Sequence, residues 1–292
     1  MEFKSTFISN YLTIIFTFLT IFFLILSWFL DKFFDKKSFG KKTLIKKTAT
    51  SIMFADLAVI LEFVQKIAFE SISKFFQFPL SNIPLFLCGI FNGVFMGYLS
   101  GIIYDLILLF IGLLTKFYIG FTFTKGLIGF ISALTFLIVK KMFAVFKNNK
   151  NFIISFFMII FLAFIVFFAL FSIINISKYY QYLNHQYGNK TISIILFCLF
   201  FFLLVMLLCL TLFFWRNCTN TPDNANIYLT IFLAFILQYL FISILMSPIL
   251  LNLVYNIPYK ISYLKIFIQP FSFFPAIFFT FFTYNKIKDF FF

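Results

Sequence analysis

The sequence has few of the residues that perform catalysis or hold metal ions in proteins. It contains one histidine, His185, and one arginine, Arg216. Its four cysteines form no C-x-x-C pair, so neither a disulfide framework nor a zinc site is indicated. No Walker sequence for nucleotide phosphates is present either. These shortages predict a chain that is not an enzyme, that hydrolyses no ATP, and that has no catalytic residues, cofactor or metal.

Acidic residues are also scarce. Nine Asp and Glu stand against 23 Lys and Arg, which gives the 292-residue chain a formal net charge of +14. In a soluble protein, this excess would suggest nucleic-acid binding. Because the chain is strongly apolar, we attribute the excess instead to lysine-rich cytoplasmic loops beside anionic lipid, and we expect no nucleic-acid partner.

Apolar residues dominate what remains. The chain is 63% hydrophobic and 24% aromatic, and it contains 55 phenylalanines. Runs of about twenty apolar residues are membrane-spanning helices by length. The sequence therefore predicts an all-α integral membrane protein. Nine apolar segments can be drawn, over residues 7–30, 44–70, 80–95, 97–115, 121–143, 152–177, 191–215, 227–255 and 261–285.

The lysines predict how these segments are oriented. The loop from Asp31 to Lys47 holds seven lysines, and a second basic stretch begins at Lys140. Positively charged loops stay in the cytoplasm. Alternation from these two loops predicts a multi-pass plasma-membrane protein with its N-terminus outside and its C-terminus in the cytoplasm. The first segment has no small-residue cleavage site and is interpreted as an uncleaved anchor.

Glycine is rare, but four of the ten glycines form one row. The row takes every fourth position, and an aspartate occupies the next step: Gly89, Gly93, Gly97, Gly101 and Asp105. Small residues at this spacing let membrane helices approach closely. An acid in the same register is costly unless it faces protein or water, so Asp105 is predicted to be a buried charge. A turn of the chain near Asn92 would divide the row between two helices.

Three motifs in this region resemble those of a known family. They are Ile-Pro-x-x-x-x-Gly-x-x-x-Gly from Ile83, Gly-x-x-x-Gly-x-x-x-Asp from Gly97, and Gly-Phe-Thr-Phe-Thr-x-x-x-x-Gly from Gly120 to Gly129. Their order and spacing resemble the substrate-binding (S) component of energy-coupling-factor (ECF) vitamin transporters, most closely the folate family. Lys125 and Gly126 replace two alanines of the family pattern.

The resemblance implies a six-helix S-component core with about three accessory transmembrane helices. Residues 1–43 would be an accessory N-terminal anchor and basic cytoplasmic loop, and 44–143 would be core helices 1 to 4. Residues 144–226 would be an inserted transmembrane hairpin, and 227–292 core helices 5 and 6. The segment that contains Lys265 and Gln269 is similar to the start of the family's sixth helix.

The resemblance also implies a function. Such a subunit captures a vitamin outside the cell and delivers it across the bilayer after docking on a transmembrane coupling (T) subunit and two ATPase subunits. Folate is the favoured vitamin, although the first core helix lacks the arginine expected in folate binders. Riboflavin and pantothenate are alternatives because the helix scaffold is shared. A degenerate S-like protein without transport and a membrane-embedded lipid-handling enzyme are the competing functions.

The resemblance and the chemistry of helix ends select candidate site residues. Those expected to bind substrate are Asn92, Thr122, Thr124, Lys125, Lys265 and Gln269. Those expected to contact the coupling subunit are Ser51, Ala55, Gly97 and Gly101, where Ser51 replaces the first alanine of the family's Ala-x-x-x-Ala contact.

These candidates also have plainer structural explanations. Small residues pack helices, threonines cap helix starts, and Lys125 can reach lipid headgroups. On the first core helix, Glu62 and Lys66 are spaced to form an ion pair.

Overall fold

The computed structural model describes residues 2–34, 41–69, 79–114, 117–145, 222–255 and 276–288, and no strand occurs among them. Three stretches are long and apolar enough to cross a membrane: Asn10–Phe34, Ile119–Val145 and Asn226–Tyr255. The all-α class is confirmed, with helices of the kind found in membrane proteins. The division into six core and three accessory helices stays a prediction. The predicted segments 152–177 and 191–215, and most of 261–285, lie outside the described residues.

The helices belong to two compact units. One unit comprises residues 1–138 and 230–292, and the other comprises 139–229. In the first unit α2, α3 and α4 pack against one another, and α1 packs against α4. In chain order the elements are α1 Glu2–Phe34, α2 Lys41–Phe69, α3 Asn82–Asn92, α4 Val94–Phe110, α5 Ile119–Val145, α6 Pro222–Gln238, a π-helical segment Tyr239–Met246, α7 Ser247–Tyr255 and α8 over residues 276–288.

The glycine row is divided between two helices. Helix α3 ends at Asn92 and α4 begins at Val94, so Gly93 alone turns the chain. Gly93 has a φ of 98°, which L side chains rarely adopt. Its N–H donates to the Gly89 carbonyl at 3.1 Å. The row is therefore two facing halves of a helical hairpin and not one continuous stripe.

Gly89 and Gly97, four residues on either side of the turn, lie against each other. A Cβ added to Gly97 would lie 2.7 Å from the Gly89 Cα and 2.8 Å from the Gly129 carbonyl oxygen of α5. A Cβ added to Gly101 would overlap the Lys125 carbonyl, also on α5. Main-chain atoms fill these contacts, so glycine is the residue that lets α3, α4 and α5 meet so closely.

One face of α1 packs against the hairpin. The Tyr98 hydroxyl of α4 donates to the Thr20 carbonyl at 3.2 Å, and the Phe23 ring stacks on the Tyr98 ring with centroids 6.3 Å apart. The other faces of α1 expose large apolar side chains such as Ile14 and Phe18, as expected of a helix that faces lipid. The buried side chains recur at helical spacing: Phe16, Thr20, Ser27 and Asp31.

The last turn of α1 holds the start of α4. The two carboxylate oxygens of Asp31 accept hydrogen bonds from the N–H groups of Val94 and Phe95, each at 2.9 Å. The first turn of a helix leaves its N–H groups without partners, and a carboxylate there lies at the positive end of the helix dipole. Gly93 leaves room for this carboxylate, because a Cβ there would lie 3.0 Å from Asp31 Oδ1.

The π-helical segment ends beside a proline. Pro248 lacks an N–H, and its ring crowds the carbonyl one turn earlier. The N–H of the preceding Ser247 donates to the Ile242 carbonyl, five residues back, which is the π-helical pattern. The wider helix thus accommodates the proline within a long apolar span.

Lengthening the side chain at Gly97 is expected to destabilise the protein progressively. Gly97→Ala introduces a Cβ against main-chain atoms that cannot rotate away, and over-packing of this kind costs about 1–3 kcal/mol. Gly97→Leu should cost more. The measurement is the thermal unfolding midpoint of the purified protein in detergent.

The control series is Gly112→Ala and Gly112→Leu. Gly112 also has a positive φ, of 75°, but no atom lies within 4 Å of an added Cβ. Its first substitution should cost about 1–2 kcal/mol for the left-handed backbone, and the second should add little. An equal dependence on side-chain size at both glycines would contradict the close contact at Gly97.

Asp31→Asn is expected to lower the free energy of unfolding by about 1–2 kcal/mol. An amide has one acceptor oxygen for two N–H donors, and its NH2 group would face a second donor. Asp56→Asn, at an exposed position on α2, is the control for loss of one negative charge. Equal unfolding midpoints for the two variants would show that Asp31 does not cap α4.

Candidate functional site

Polar side chains gather at the end of α3 that is remote from Gly93. Glu62 Oε2, on α2, accepts hydrogen bonds from the Ser81 hydroxyl at 2.8 Å and the Tyr104 hydroxyl at 3.1 Å. Lys125 Nζ, on α5, donates to Asn82 Oδ1 at 3.2 Å and lies 5.1 Å from the centroid of the Tyr104 ring. We name these five residues the Tyr104 cluster.

The centre of the Tyr104 cluster is buried and its outer groups are not. Tyr104 is 0% exposed, whereas Glu62, Asn82 and Lys125 are half-buried. One tyrosine therefore positions both charges: its hydroxyl binds the carboxylate, and its ring faces the ammonium group. The Tyr104 cluster therefore contains a carboxylate acceptor and an ammonium donor that are both partly exposed and both in contact with Tyr104.

Asp105 lies directly beside this cluster in the sequence. It is 2% exposed, and its Oδ2 accepts a hydrogen bond from the Thr122 hydroxyl at 2.5 Å. The Lys125 ammonium group is within electrostatic range of the same carboxylate. The bond connects α4 to the first turn of α5, and Lys125 lies in the second turn of the same helix. Two of the candidate binding residues are thereby brought near the predicted buried charge.

Thr124 has a different environment from Thr122. It is buried, and its hydroxyl donates to the Phe121 carbonyl within α5 at 2.8 Å. Such a bond stays within one helix and positions no neighbouring element. The described contacts of Thr124 are thus those of a structural residue.

Asn92 lies at the opposite end of α3 from the Tyr104 cluster. Its Nδ2 donates to Ser51 Oγ at 2.9 Å, and its Oδ1 accepts from the Thr50 hydroxyl at 3.1 Å. The helix rise separates Asn92 from Asn82 by about 15 Å. The structure therefore joins Asn92 to Ser51 and does not bring it together with Lys125.

The four residues predicted to contact the coupling subunit are buried: Ser51, Ala55, Gly97 and Gly101. They lie where α2, α3, α4 and α5 pack together. Many exposed side chains of α2 are large and apolar, among them Ile52, Met53 and Ile60. Helix packing within the chain accounts for the small residues, and contact with a coupling subunit stays a prediction.

Two expectations remain, the ion pair on α2 and the two candidate binding residues near the C-terminus. Glu62 binds Ser81 and Tyr104, whereas Lys66 Nζ donates to the Leu113 carbonyl at 2.5 Å. Contacts with other elements thus replace the ion pair expected on α2. Lys265 and Gln269 lie outside the described residues.

The residues predicted from the sequence did not include Ser81, Asn82 and Tyr104. A serine and an asparagine at the beginning of an apolar segment are typical of a helix start, which would have placed both residues at the N-terminal end of α3. The position of Tyr104 beside Asp105 could have drawn attention to it, but a tyrosine next to an acid is too common to identify a site residue. Its role depends on α2 and α5, which no local pattern reveals.

Comparisons with protein-family models, curated proteins and solved structures find no match to this chain. Within the described part of the chain, no group of three or more His, Cys, Asp or Glu side chains could hold a metal ion. The candidate site is therefore defined by its own geometry: a buried tyrosine, a carboxylate and an ammonium group.

Thr122→Val is expected to cost about 1–3 kcal/mol of stability, because it removes a hydroxyl donor and leaves a buried carboxylate without its hydrogen bond. Thr124→Val is the matched control: it changes the same residue type, on the same helix and also buried, but loses only a bond within that helix. The measurement is the thermal unfolding midpoint in detergent. Equal losses for the two variants would contradict the importance of the Asp105 contact.

Proposed function

We propose that the protein is the membrane-embedded substrate-binding subunit of an ECF-type transporter, and that it captures a vitamin for ATP-driven uptake by partner subunits. Folate is the favoured vitamin. The observation that carries this proposal is the hydrogen bond between Asp105 and Thr122. These residues belong to two of the three motifs on which the resemblance depends, and the glycines of the same motifs pack together at Gly97 and Gly129.

The chemistry of the Tyr104 cluster supports a binding function. Charged side chains in apolar helices are costly and generally serve a substrate or ion pathway. Here a carboxylate, an ammonium group and an amide from three helices converge around one tyrosine. Such convergent polar groups in an apolar surround are typical of small-molecule sites.

The predicted membrane orientation agrees with capture from outside. Helix α2 begins in the lysine-rich segment predicted to be cytoplasmic, and Glu62 lies about four turns after Lys47. The Tyr104 cluster would then lie towards the outer face, and the contact of Asp31 with α4 towards the cytoplasm. The proposed partners are a coupling T subunit, two ATPase subunits and the lipid bilayer.

Binding of a vitamin panel by the purified protein tests the proposal. Folate, 5-formylfolate, riboflavin, pantothenate and thiamine would be titrated by calorimetry. We expect saturable binding of a folate, weakened about tenfold or more by Lys125→Ala, which corresponds to the loss of a charge-assisted hydrogen bond. Lys140→Ala, at an exposed position on the same helix, should bind as the wild type does.

The alternatives give different results. Binding of riboflavin or pantothenate alone would retain the transporter subunit and replace the substrate. Failure of a folded protein to bind any of the five vitamins would contradict the proposal and favour an S-like protein without transport, or a lipid-handling protein. Equal vitamin affinities for Lys125→Ala and the wild type would remove Lys125 from the site.

A further inference from the structure

The two charges of the Tyr104 cluster retain unused hydrogen-bonding capacity. Both hydrogen bonds to Glu62 end on Oε2, from Ser81 and Tyr104. A carboxylate has a second oxygen of equal capacity, and an ammonium group has three donors. Among the described residues, one hydrogen bond of Lys125 is directed to Asn82. Both residues are half-buried, so an acceptor and donors remain for a ligand.

The placement of these charges restricts the kind of ligand. Lys125 Nζ lies 5.1 Å from the centroid of the Tyr104 ring, and the Tyr104 hydroxyl lies 3.1 Å from Glu62 Oε2. One aromatic side chain therefore separates them, so a ligand the size of a fused ring contacts both. A simple cation would be repelled by Lys125, and a simple anion by Glu62. A neutral ring with N–H donors next to a carbonyl acceptor satisfies both groups.

We infer that Glu62 and Lys125 bind the 2-amino-4-oxopyrimidine edge of a pteridine ring. Glu62 Oε1 accepts hydrogen bonds from the ring N–H and the neighbouring amino group, one on each lone pair, and Lys125 donates to the adjacent carbonyl oxygen. Hydrogen bonds to an ionised acceptor are shorter and stronger than those between neutral groups. This inference rests on the proposed function and names the part of the vitamin that the Tyr104 cluster recognises.

Exchange of one group on the ligand tests this assignment. Pterin has the 2-amino group, whereas lumazine has a carbonyl oxygen in its place and a hydrogen on N1; the N3–H and the 4-carbonyl group are the same in both. In lumazine, an acceptor would face the Glu62 carboxylate, and a buried polar mismatch of this kind discriminates strongly. The wild-type protein should therefore bind pterin about tenfold more tightly than lumazine, or better.

Glu62→Gln is the decisive variant. A glutamine can still accept from Ser81 and Tyr104, and its NH2 group then faces the ligand as a donor. The pterin affinity should fall by about tenfold or more, and the ratio of pterin to lumazine affinity should approach one or reverse. Asp56→Asn, which removes an acid from the same helix, should leave both affinities unchanged. Calorimetric titration of the full chain in detergent measures the pterin and lumazine affinities of the wild type and of both variants.

Tyr104→Phe is a second variant, and it changes the volume of the side chain very little. It keeps the ring beside Lys125 and removes the hydroxyl that orients Glu62. The preference for pterin over lumazine should decrease, with less change in lumazine affinity than in pterin affinity. If Glu62→Gln does not fold, an unchanged preference in Tyr104→Phe overturns the inference.

The outcomes separate this inference from the proposed function. If the wild type binds folate but Glu62→Gln keeps the wild-type preference between the two rings, Glu62 does not bind the pteridine and the inference is wrong, while the transporter proposal stands. If the folded wild type binds neither ring but binds another vitamin, the inference is wrong and the substrate changes. If it binds none of the panel, both are wrong.

Discussion

The contact of three helix backbones at Gly89, Gly97 and Gly129 is the constraint on which the rest of the described structure depends. In lipid, apolar side chains gain little by leaving the hydrocarbon, so helices associate through close packing and polar contacts. Helix α3 has only 11 residues, too few to span a bilayer alone. Contact of its backbone with α4 and α5 holds it in place. The position of α3 in turn places Asn92 beside Ser51 at one end and Asn82 beside Lys125 at the other.

Different donor groups stabilise Asp31, Glu62 and Asp105. Asp31 accepts from the backbone N–H groups of α4, Glu62 from two hydroxyl groups, and Asp105 from one hydroxyl group. An ionised group in an apolar surround needs such partners. The acids differ in their exposure and in which carboxylate oxygens accept a described hydrogen bond. Asp31 uses both oxygens for the fold, and Asp105 is buried, whereas Glu62 combines partial exposure with a second oxygen. Glu62 is for that reason the carboxylate best suited to bind a ligand.

Composition and local spacing were sufficient to predict the helical class and the close packing of the glycines. They named a turn near Asn92 only as the condition under which the glycine row would be divided. They were not sufficient for contacts between distant segments. The carboxylate of Asp31 caps a helix that begins 63 residues later, and nothing in the first segment indicates that partner. The spacing of Glu62 and Lys66 suggested an ion pair, but hydroxyl and carbonyl groups from other elements compete for both side chains. Helical periodicity identifies neighbours on the same helix, and tertiary packing decides between them and closer partners.

The tyrosine between Glu62 and Lys125 explains how both charges can serve one site. If the carboxylate and ammonium groups were paired directly, each would occupy the other's strongest hydrogen-bonding direction, and a ligand would have to break the pair in a low-dielectric surround. Tyr104 instead stabilises each charge with a different part of its side chain, the hydroxyl for one and the ring face for the other. Both charges are then supported without being neutralised. A residue with only a hydroxyl would leave Lys125 with Asn82 as its described hydrogen-bond partner, and a residue with only a ring would leave Glu62 with Ser81.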